Sequence, residues 1–483
     1  MSIKLTLRIL GILLMVFSIS MLPPVVISWI YSDGSHTAFL LAFACTLLAG
    51  FFLWLPHRSI KRELRTRDGY LITVLFWSVL GLFGALPLYF STEPHLSFTD
   101  ALFESMSGLS TTGATVITGL DLLPESILWY RQQLQWFGGM GIIVLAVAIL
   151  PMLGIGGMQL YRTEIPGPMK DAKLTPRITE TAKTLWYIYL FLTLACFLAY
   201  WYAGMNWFDA MGHSFSTVAI GGFSTHDASI GYFDSALIES IAIFFMLVSS
   251  INYAMHFVAW HERSFRHYTQ DPEVRFLFWL LVISCVVTVT ILIISHTTET
   301  YQDAIRQGVF EVVSVATTTG FGVADFSIWP SVLPFTLFLL AFVGGCAGST
   351  AGGMKVIRIY LIIKQGIREM KRLLHPNGVF PVKVGNYSIP DQIAQAVWGF
   401  FSVYLMIFVV MLIGLLATGL DQVTAWSAVG SCLNNLGPGL GEVAAHYGNI
   451  PDPAKWILVI AMLLGRLEIF TLLVLFTPMF WRR

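Results

Sequence analysis

Long apolar stretches separated by short polar connections recur along almost the whole chain, and their length sets the first expectation. A run of about 20 apolar residues can cross the roughly 30 Å hydrocarbon core of a bilayer as a helix. About ten stretches meet that requirement: 6–31, 38–56, 70–91, 132–152, 182–204, 237–260, 274–295, 331–363, 393–418 and 455–480. Glycines interrupt the eighth. Basic Lys4 and Arg8 precede the first, but its run is too long and continues into Pro23-Pro24 without a small-residue cleavage site. It is therefore expected to stay as a span and not to leave as a signal peptide.

A second pattern lies between the spans. After the third, fifth, seventh and ninth comes a semi-apolar segment too short to cross. These segments read FESMSGLSTTGA (103–114), GHSFSTVAIGGF (212–223), FEVVSVATTTGF (310–321) and SAVGSCLNNLGP (427–438). Aligned without gaps, they share a glycine (Gly113, Gly222, Gly320, Gly437) and, six positions earlier, a serine (Ser107, Ser216, Ser314, Ser431). An aspartate opens each one: Asp100, Asp209, Asp303 and Asp421. The spacing between glycines leaves room for two spans and a re-entrant loop each time. The expected architecture is an all-α membrane protein of four span–loop–span repeats around a central pore, plus two N-terminal spans. The boundaries read 1–68 for the addition, then 69–180, 181–272, 273–390 and 391–483 for the repeats.

Irregular backbone at membrane depth is tolerated only where protein or a water-filled cavity surrounds it. A short helix entering with its aspartate at the N-terminus would aim its C-terminal end, with about −0.5 elementary charge, at the pore axis. Four such ends favour a cation. A following glycine turn can present carbonyls that replace the ion's water, because positive φ costs glycine little. The competing reading is that these Gly-Thr stretches are ordinary transporter loops or helix-packing sites.

Composition agrees with the spans: 56% of residues are hydrophobic and 12% charged, where a soluble domain has about 25% charged. Mean hydropathy is +0.72. The formal net charge of zero hides an asymmetry. Basic residues fill alternate connections (Arg58, Lys61, Arg62, Arg65, Arg67; Arg162, Lys170, Lys173, Arg177; Arg263, Arg266, Arg275; Lys364, Arg368, Lys371, Arg372, Lys383) and both termini (Lys4, Arg8; Arg482, Arg483). The positive-inside rule places these in the cytoplasm. The other connections carry Arg131, Arg306 and Lys455 against many acids, among them Glu104, Asp121, Glu239 and Glu311. An acidic outer face would concentrate cations at an entrance, although the same rule alone would deplete Lys and Arg there. The five cysteines are scattered and show no disulfide or metal spacing. No Walker loop, nucleophile elbow or paired histidine ligands appear, so no enzymatic, nucleotide or organic-cofactor site is expected in this chain. Nothing points to nucleic acid.

Beyond the repeats, long runs match a known family: STTGAT (110–115), YRQQLQWFGGMGIIVLAVAILP (130–151), EIPGP, KLTPRITETAKTLW, IGGFSTHDASIGYFDS (220–235), TTTGFG, GGCAGSTAGGMKVIR (344–358), NNLGPGLG and GRLEIFTLLVLFTP. End to end, the chain resembles the TrkH/TrkG/TrkI membrane subunits of bacterial potassium uptake systems, in the superfamily that includes KtrB and plant HKT transporters. The resemblance implies K⁺ transport, with Rb⁺ also passing, across the bacterial inner membrane with both termini cytoplasmic. It implies a backbone selectivity filter at Thr111-Thr112-Gly113, Ile220-Gly221-Gly222, Thr318-Thr319-Gly320 and Asn435-Leu436-Gly437. In the superfamily, serine at the first filter glycine is associated with sodium-preferring members; all four glycines are present here, which implies a potassium preference. The fourth copy departs most, so looser selectivity is expected. The family also implies a homodimer and a peripheral cytosolic TrkA-like nucleotide-binding subunit. The basic segments Lys364 to Lys383 and Lys170 to Arg177 are candidate docking faces for that subunit or for anionic lipid.

Two features of the spans stand apart. GGCAGSTAGG (344–353) cannot hold a continuous helix cheaply, since each glycine costs roughly 1 kcal/mol relative to alanine; a broken helix or a small-residue packing site results. The family reading makes it an intramembrane gating loop, with Gly344, Gly345, Gly348, Ser349, Thr350, Gly352 and Gly353 as its residues. Arg466, inside the last span, costs about 2.5–3.5 kcal/mol to bury at the bilayer centre. It faces a cavity or partner, or an interhelical salt bridge; the family reading puts it in the pore below the filter as part of the gate. His213, His226 and His256 have no metal spacing and are expected to pack or hydrogen-bond. A secondary carrier coupled to H⁺ or Na⁺ is the alternative function, since broken helices also build carrier sites.

Overall fold

The computed structural model describes residues 3–60, 66–144 and 178–481. Lys61, Arg62, Arg65, Arg162, the docking segment Lys170 to Arg177, Arg482, Arg483 and the end of the fourth expected span lie outside the described residues. The described chain is almost entirely helical: α1 Ile3–Ser18, α2 Leu22–Tyr31, α3 His36–Trp54, α4 Thr66–Gly84, α5 Leu86–Phe90, α6 Phe98–Leu109, α7 Glu125–Val144, α8 Ile178–Tyr202, α9 Trp207–Ala219, α10 Ala236–Ser249, α11 Tyr253–His261, α12 Arg266–Gln270, α13 Pro272–Ile294, α14 Tyr301–Ala316, α15 Val332–Val343, α16 Val356–Leu374, α17 Asp391–Ala417, α18 Gln422–Asn434, α19 Asp452–Arg466, α20 Phe470–Leu473 and α21 Pro478–Trp481. A two-stranded antiparallel hairpin, β1 Val382–Val384 and β2 Tyr387–Ile389, follows α16.

Six helical segments are continuous, apolar and long enough to cross a membrane: Ile3–Tyr31, His36–His57, Arg67–Phe90, Lys183–Tyr202, Pro272–Ile294 and Asp391–Ala417. Two of the expected spans are not straight. The sixth bends by 92° between α10 and α11, and the tenth by 107° after α19. The first bend sits where polar groups compete with the helix ladder, the second at two left-handed residues. In the first, Ser250 Oγ donates to Leu247 O at 2.7 Å and Asn252 Oδ1 accepts the Ala254 N–H at 2.8 Å, starting a new helix. In the second, Glu468 and Ile469 adopt positive φ of 54° and 55°. The eighth is broken as expected: α15 stops at Val343 and α16 begins at Val356.

The short helices α6, α9, α14 and α18 fall on the four segments expected to be re-entrant, and each starts on a polar cap. Ser97 Oγ, Asn206 Oδ1 and Thr300 Oγ1 accept the N–H of Asp100, Asp209 and Asp303 at 3.1, 2.8 and 3.1 Å. Those aspartates therefore sit in the first turn, where negative charge is favourable. In the fourth segment Asp421 is itself the cap, accepting from Val423 and Thr424 at 3.0 and 3.1 Å. Buried apolar residues of α6 (Leu102, Phe103, Met106) and α18 (Val429, Cys432, Leu433) share one core with α1, α3 and α19.

The N-terminal helices α1 and α3 cross with almost no side chain between them. A Cβ on Gly50 would lie 2.7 Å from the Gly11 carbonyl oxygen, and one on Gly11 would lie 2.7 Å from that of Gly50. Overpacking of this kind costs about 1–3 kcal/mol. Gly50→Leu is expected to lower the thermal unfolding midpoint of the detergent-solubilised protein; an unchanged midpoint would mean the helices do not approach so closely.

Candidate functional site

The four re-entrant helices end in the same way. The residue two before each shared glycine takes a left-handed conformation: Thr111 (φ 52°), Ile220 (54°), Thr318 (63°) and Asn435 (54°). The next N–H then reaches back to the carbonyl of the serine noted in the sequence: Thr112 to Ser107 at 2.9 Å, Gly221 to Ser216 at 2.8 Å, Thr319 to Ser314 at 2.8 Å and Leu436 to Ser431 at 2.9 Å. A second bond closes each turn, from Thr111, Ile220, Thr318 and Asn435 to Gly108, Thr217, Val315 and Cys432 at 3.0–3.3 Å. This pair of bonds is the Schellman helix stop, usually built on glycine. Here β-branched residues and an asparagine occupy the left-handed position.

The glycines then meet in a closed cycle. A Cβ on Gly113 would lie 2.1 Å from Gly221 O, one on Gly222 2.1 Å from Thr319 O, one on Gly320 2.2 Å from Leu436 O, and one on Gly437 2.7 Å from Thr112 O. Each glycine thus packs on the carbonyl of the next segment, and the fourth returns to the first. All four also have positive φ, from 79° to 101°. No other residue satisfies both demands. All twelve candidate filter residues are therefore brought together. On the side expected to face outward, a cavity of about 430 Å³ is lined by Gly113, Gly222, Gly320 and Gly437 with Ser224, His226 and Glu311.

The turns are unequal. The Gly437 carbonyl accepts from Ser431 Oγ at 2.6 Å and Tyr447 Oη at 2.9 Å, which occupies both lone pairs. The Gly221 carbonyl accepts from Gln135 Nε2 at 2.6 Å. Phe321 O takes Ser314 Oγ at 2.6 Å, while the hydroxyls of Ser107 and Ser216 have no partner among the described residues.

Below the cycle lies the glycine-rich break, and every segment touches it directly or through one side chain. Thr350 Oγ1 donates to Val218 O at 3.0 Å, at the end of α9. The Gly352 N–H donates to Thr318 Oγ1 at 2.6 Å, and the Gly353 N–H to Asn434 O at 3.0 Å. Arg466 reaches Thr111 Oγ1 at 2.6 Å and Thr350 O at 3.4 Å. Arg466 is 5% exposed and, among the described residues, makes no salt bridge, so that alternative fails. Glu468 pairs instead with Arg358 at 2.6 Å.

A family model for cation transport proteins, TrkH, matches residues 35–483. The chain belongs to the TrkH family. Among relatives, the Trk system potassium uptake protein TrkH of Halomonas elongata is 66% identical over 483 residues, covering all of both chains. The protein of the same name from Escherichia coli (strain K12) is 57% identical over 478 residues, 98% of each chain. The crystal structure of the potassium transporter TrkH from Vibrio parahaemolyticus superposes with a TM-score of 0.93, at 54% identity and full coverage of both chains.

Several acids counted as outer-loop charge in this TrkH-family chain are structural instead. Glu104, nine residues before its glycine, is fully buried; it pairs with Arg131 at 2.7 Å and accepts the Val116 N–H at 2.9 Å. Glu311, at the equivalent place, accepts from Val323 and Ala324 at 2.8 and 3.1 Å. His213, again nine before, meets Ser224 Oγ at 2.9 Å. These side chains tie the strand after each turn back to its helix. The Phe-Glu pairs at 103–104 and 310–311 are the signal of this role in the sequence, which a count of acids by connection does not separate from surface charge. Arg131, Arg306 and Lys455 are likewise all engaged: Arg306 with Glu239 at 2.7 Å, Lys455 with Asp100 at 2.6 Å. Arg368 of the candidate docking face is buried against Asp391. His256, the third histidine singled out, bridges Tyr268 Oη and Val248 O.

In the cavity beside the glycine cycle His226 bridges two segments, with Nδ1 2.5 Å from Asp121 and Nε2 3.3 Å from Asp209, under a stacked Tyr232 ring. Burial disfavours the imidazolium, but hydrogen bonds to Asp209 and Asp121 outweigh it and leave the pKa above the ordinary 6.5. A raised folded value means stabilisation that is complete below 6.5 and lost as pH rises through the folded value. Thermal stability should therefore fall across the window starting near 6.5 and running above it. His226→Gln should flatten that fall, and an identical pH profile in the variant would contradict the bridge.

Proposed function

We propose that this protein carries K⁺ into the cell across the bacterial cytoplasmic membrane, through a channel-like pore whose filter is the cycle of backbone at Gly113, Gly222, Gly320 and Gly437. That closed cycle is the observation that carries the reading. Its fit to ion passage is physical: four helix C-terminal ends converge, adding negative potential at one point, and main-chain carbonyls there can stand in for water. The names of the relatives, potassium uptake proteins and a potassium transporter, point to the same ion. Occupation of the Gly437 carbonyl by two hydroxyls favours a filter with fewer than four equivalent ligands per level. K⁺ preference is then modest and Rb⁺ passes.

The chain in this reading is an N-terminal pair of spans (1–68) and four pore units (69–180, 181–272, 273–390, 391–483), with both termini cytoplasmic. The loop 344–353 and Arg466 form the gate, because their hydrogen bonds end on Thr111, Val218, Thr318 and Asn434, beneath the filter. A cytosolic TrkA-like nucleotide-binding subunit moves the gate from the inner face, and the membrane subunit works as a homodimer.

Purified protein in liposomes tests the pore. Gly113→Ser places a Cβ against Gly221 O and is expected to reduce K⁺ over Na⁺ discrimination about tenfold, a change of about 1.4 kcal/mol. Unaltered ion preference in a folded variant would remove Gly113 from the filter. Single-channel steps whose reversal follows the K⁺ gradient alone support a channel; reversal that moves with a H⁺ or Na⁺ gradient would establish coupled carriage instead.

Arg466→Ala, and separately deletion of 348–353, should raise tracer Rb⁺ influx. Normal influx in variants that reconstitute normally would exclude the loop and arginine as the gate.

A further inference from the structure

The loop beneath the cycle has a neck, and one side chain closes it. Main-chain bonds join its two arms, from Met354 N–H to Phe342 O at 3.0 Å and from Val356 N–H to Gly345 O at 3.1 Å. Across the same neck lies Glu273, in the first turn of α13 and 5% exposed. Its Oε1 accepts the Ala347 N–H at 2.8 Å, on the entering arm, and the Ile357 N–H at 3.2 Å, on the leaving arm. Among the described residues it is the carboxylate whose hydrogen bonds end on this loop.

We infer that Glu273 is the latch of the loop, a positioning residue whose carboxylate holds the two arms together and keeps the loop seated under the filter. The inference rests on the gate reading above. A carboxylate accepting main-chain N–H groups makes bonds about twice as strong as neutral pairs, and a buried site strengthens them. Two cations also touch the loop, each at a single carbonyl, Arg466 at Thr350 O (3.4 Å) and Lys355 at Ala351 O; the remaining contacts end on main chain or on hydroxyl groups: Cys346 N–H on Ser250 O at 2.9 Å, Gly348 O on Tyr253 N–H at 3.1 Å, Thr350 on Val218 and Gly352 on Thr318. Among the described residues Glu273 combines a negative charge with a grip on both arms. It also belongs to an element that starts in the cytoplasmic connection: Asp271, two residues earlier, caps α13 through the Val274 N–H at 2.9 Å, and α12 with Arg266 lies just before it. Displacement of that connection from the cytosolic side moves Glu273 with the start of the helix.

The loop carries its own reporter. Cys346, beside Ala347, is a free thiol that is 1% exposed, so a maleimide reaches it only when the loop leaves its seat. The full-length protein in liposomes is labelled with a maleimide, Cys346 modification is quantified by mass spectrometry, and Rb⁺ influx is measured on the same preparation. Loss of a charge-assisted hydrogen bond shifts such an equilibrium by about tenfold or more. Glu273→Ala is expected to speed Cys346 labelling by about tenfold, with Glu273→Gln between it and the parent, because the amide oxygen still accepts both N–H groups without the charge. Influx should rise in the same order. Unchanged labelling in both variants overturns the latch, as does raised influx without raised labelling. Raised labelling with unchanged influx leaves the latch standing and removes the loop as the gate. If Glu273→Ala does not fold, the isosteric Glu273→Gln decides alone.

Discussion

Four glycine-to-carbonyl contacts hold the centre of this molecule together, and most of the surrounding architecture follows from making them. A Cβ at any of Gly113, Gly222, Gly320 or Gly437 would fall within 2.1 to 2.7 Å of an oxygen of the neighbouring segment, far inside ordinary contact. The contacts form only if four helices stop at the same depth, and a left-handed residue stops each. For a non-glycine residue that conformation costs about 1–2 kcal/mol. Two main-chain hydrogen bonds per turn, each worth about 0.5–1.5 kcal/mol net, offset it. Threonine, isoleucine and asparagine are therefore tolerated where a free helix end would use glycine.

A second layer keeps the turns from relaxing outward. Glu104, His213 and Glu311 sit nine residues before their glycines and hold the strand that follows. In the fourth segment Ser427 does this work, exchanging bonds with the N–H and carbonyl of Leu440 at 2.8 and 3.1 Å. The means differ while the constraint is the same, so the four segments diverge in sequence and still end alike. Breaking a buried pair such as Glu104–Arg131 leaves an uncompensated charge, which costs about 3–5 kcal/mol.

The sequence made the re-entrant segments, their glycines and the broken eighth span readable, because each is a local signal: spacing, a cap residue, a cluster of glycines. The bends at Ser250–Asn252 and Leu467–Ile469 were not readable, since apolarity measured along a stretch says nothing of its direction. Arg131, Glu104 and Glu311 were misplaced for a related reason. Their partners lie far along the chain or across the turn, so counting charge by connection put them on the surface, whereas they are buried. Glu273 left no trace at all. It looks like an ordinary first-turn acid of a helix following Asp271-Pro272, and only the folded chain brings it to Ala347 and Ile357.

The proposed filter and the proposed gate share residues, which limits how the gate can move. Thr318 holds its left-handed turn and also accepts the Gly352 N–H through its hydroxyl. Thr111 holds its own turn and receives Arg466. Asn434, next to the left-handed Asn435, receives Gly353 through its carbonyl. A loop seated this way cannot withdraw without leaving hydroxyl and carbonyl groups unpaired at membrane depth, where water or a passing ion must take the vacated places. In the proposed reading, opening and hydration of the inner end of the pore are then one event. The same polar groups that seat the loop are, in that reading, the ones a cation would meet first from its side of the cycle.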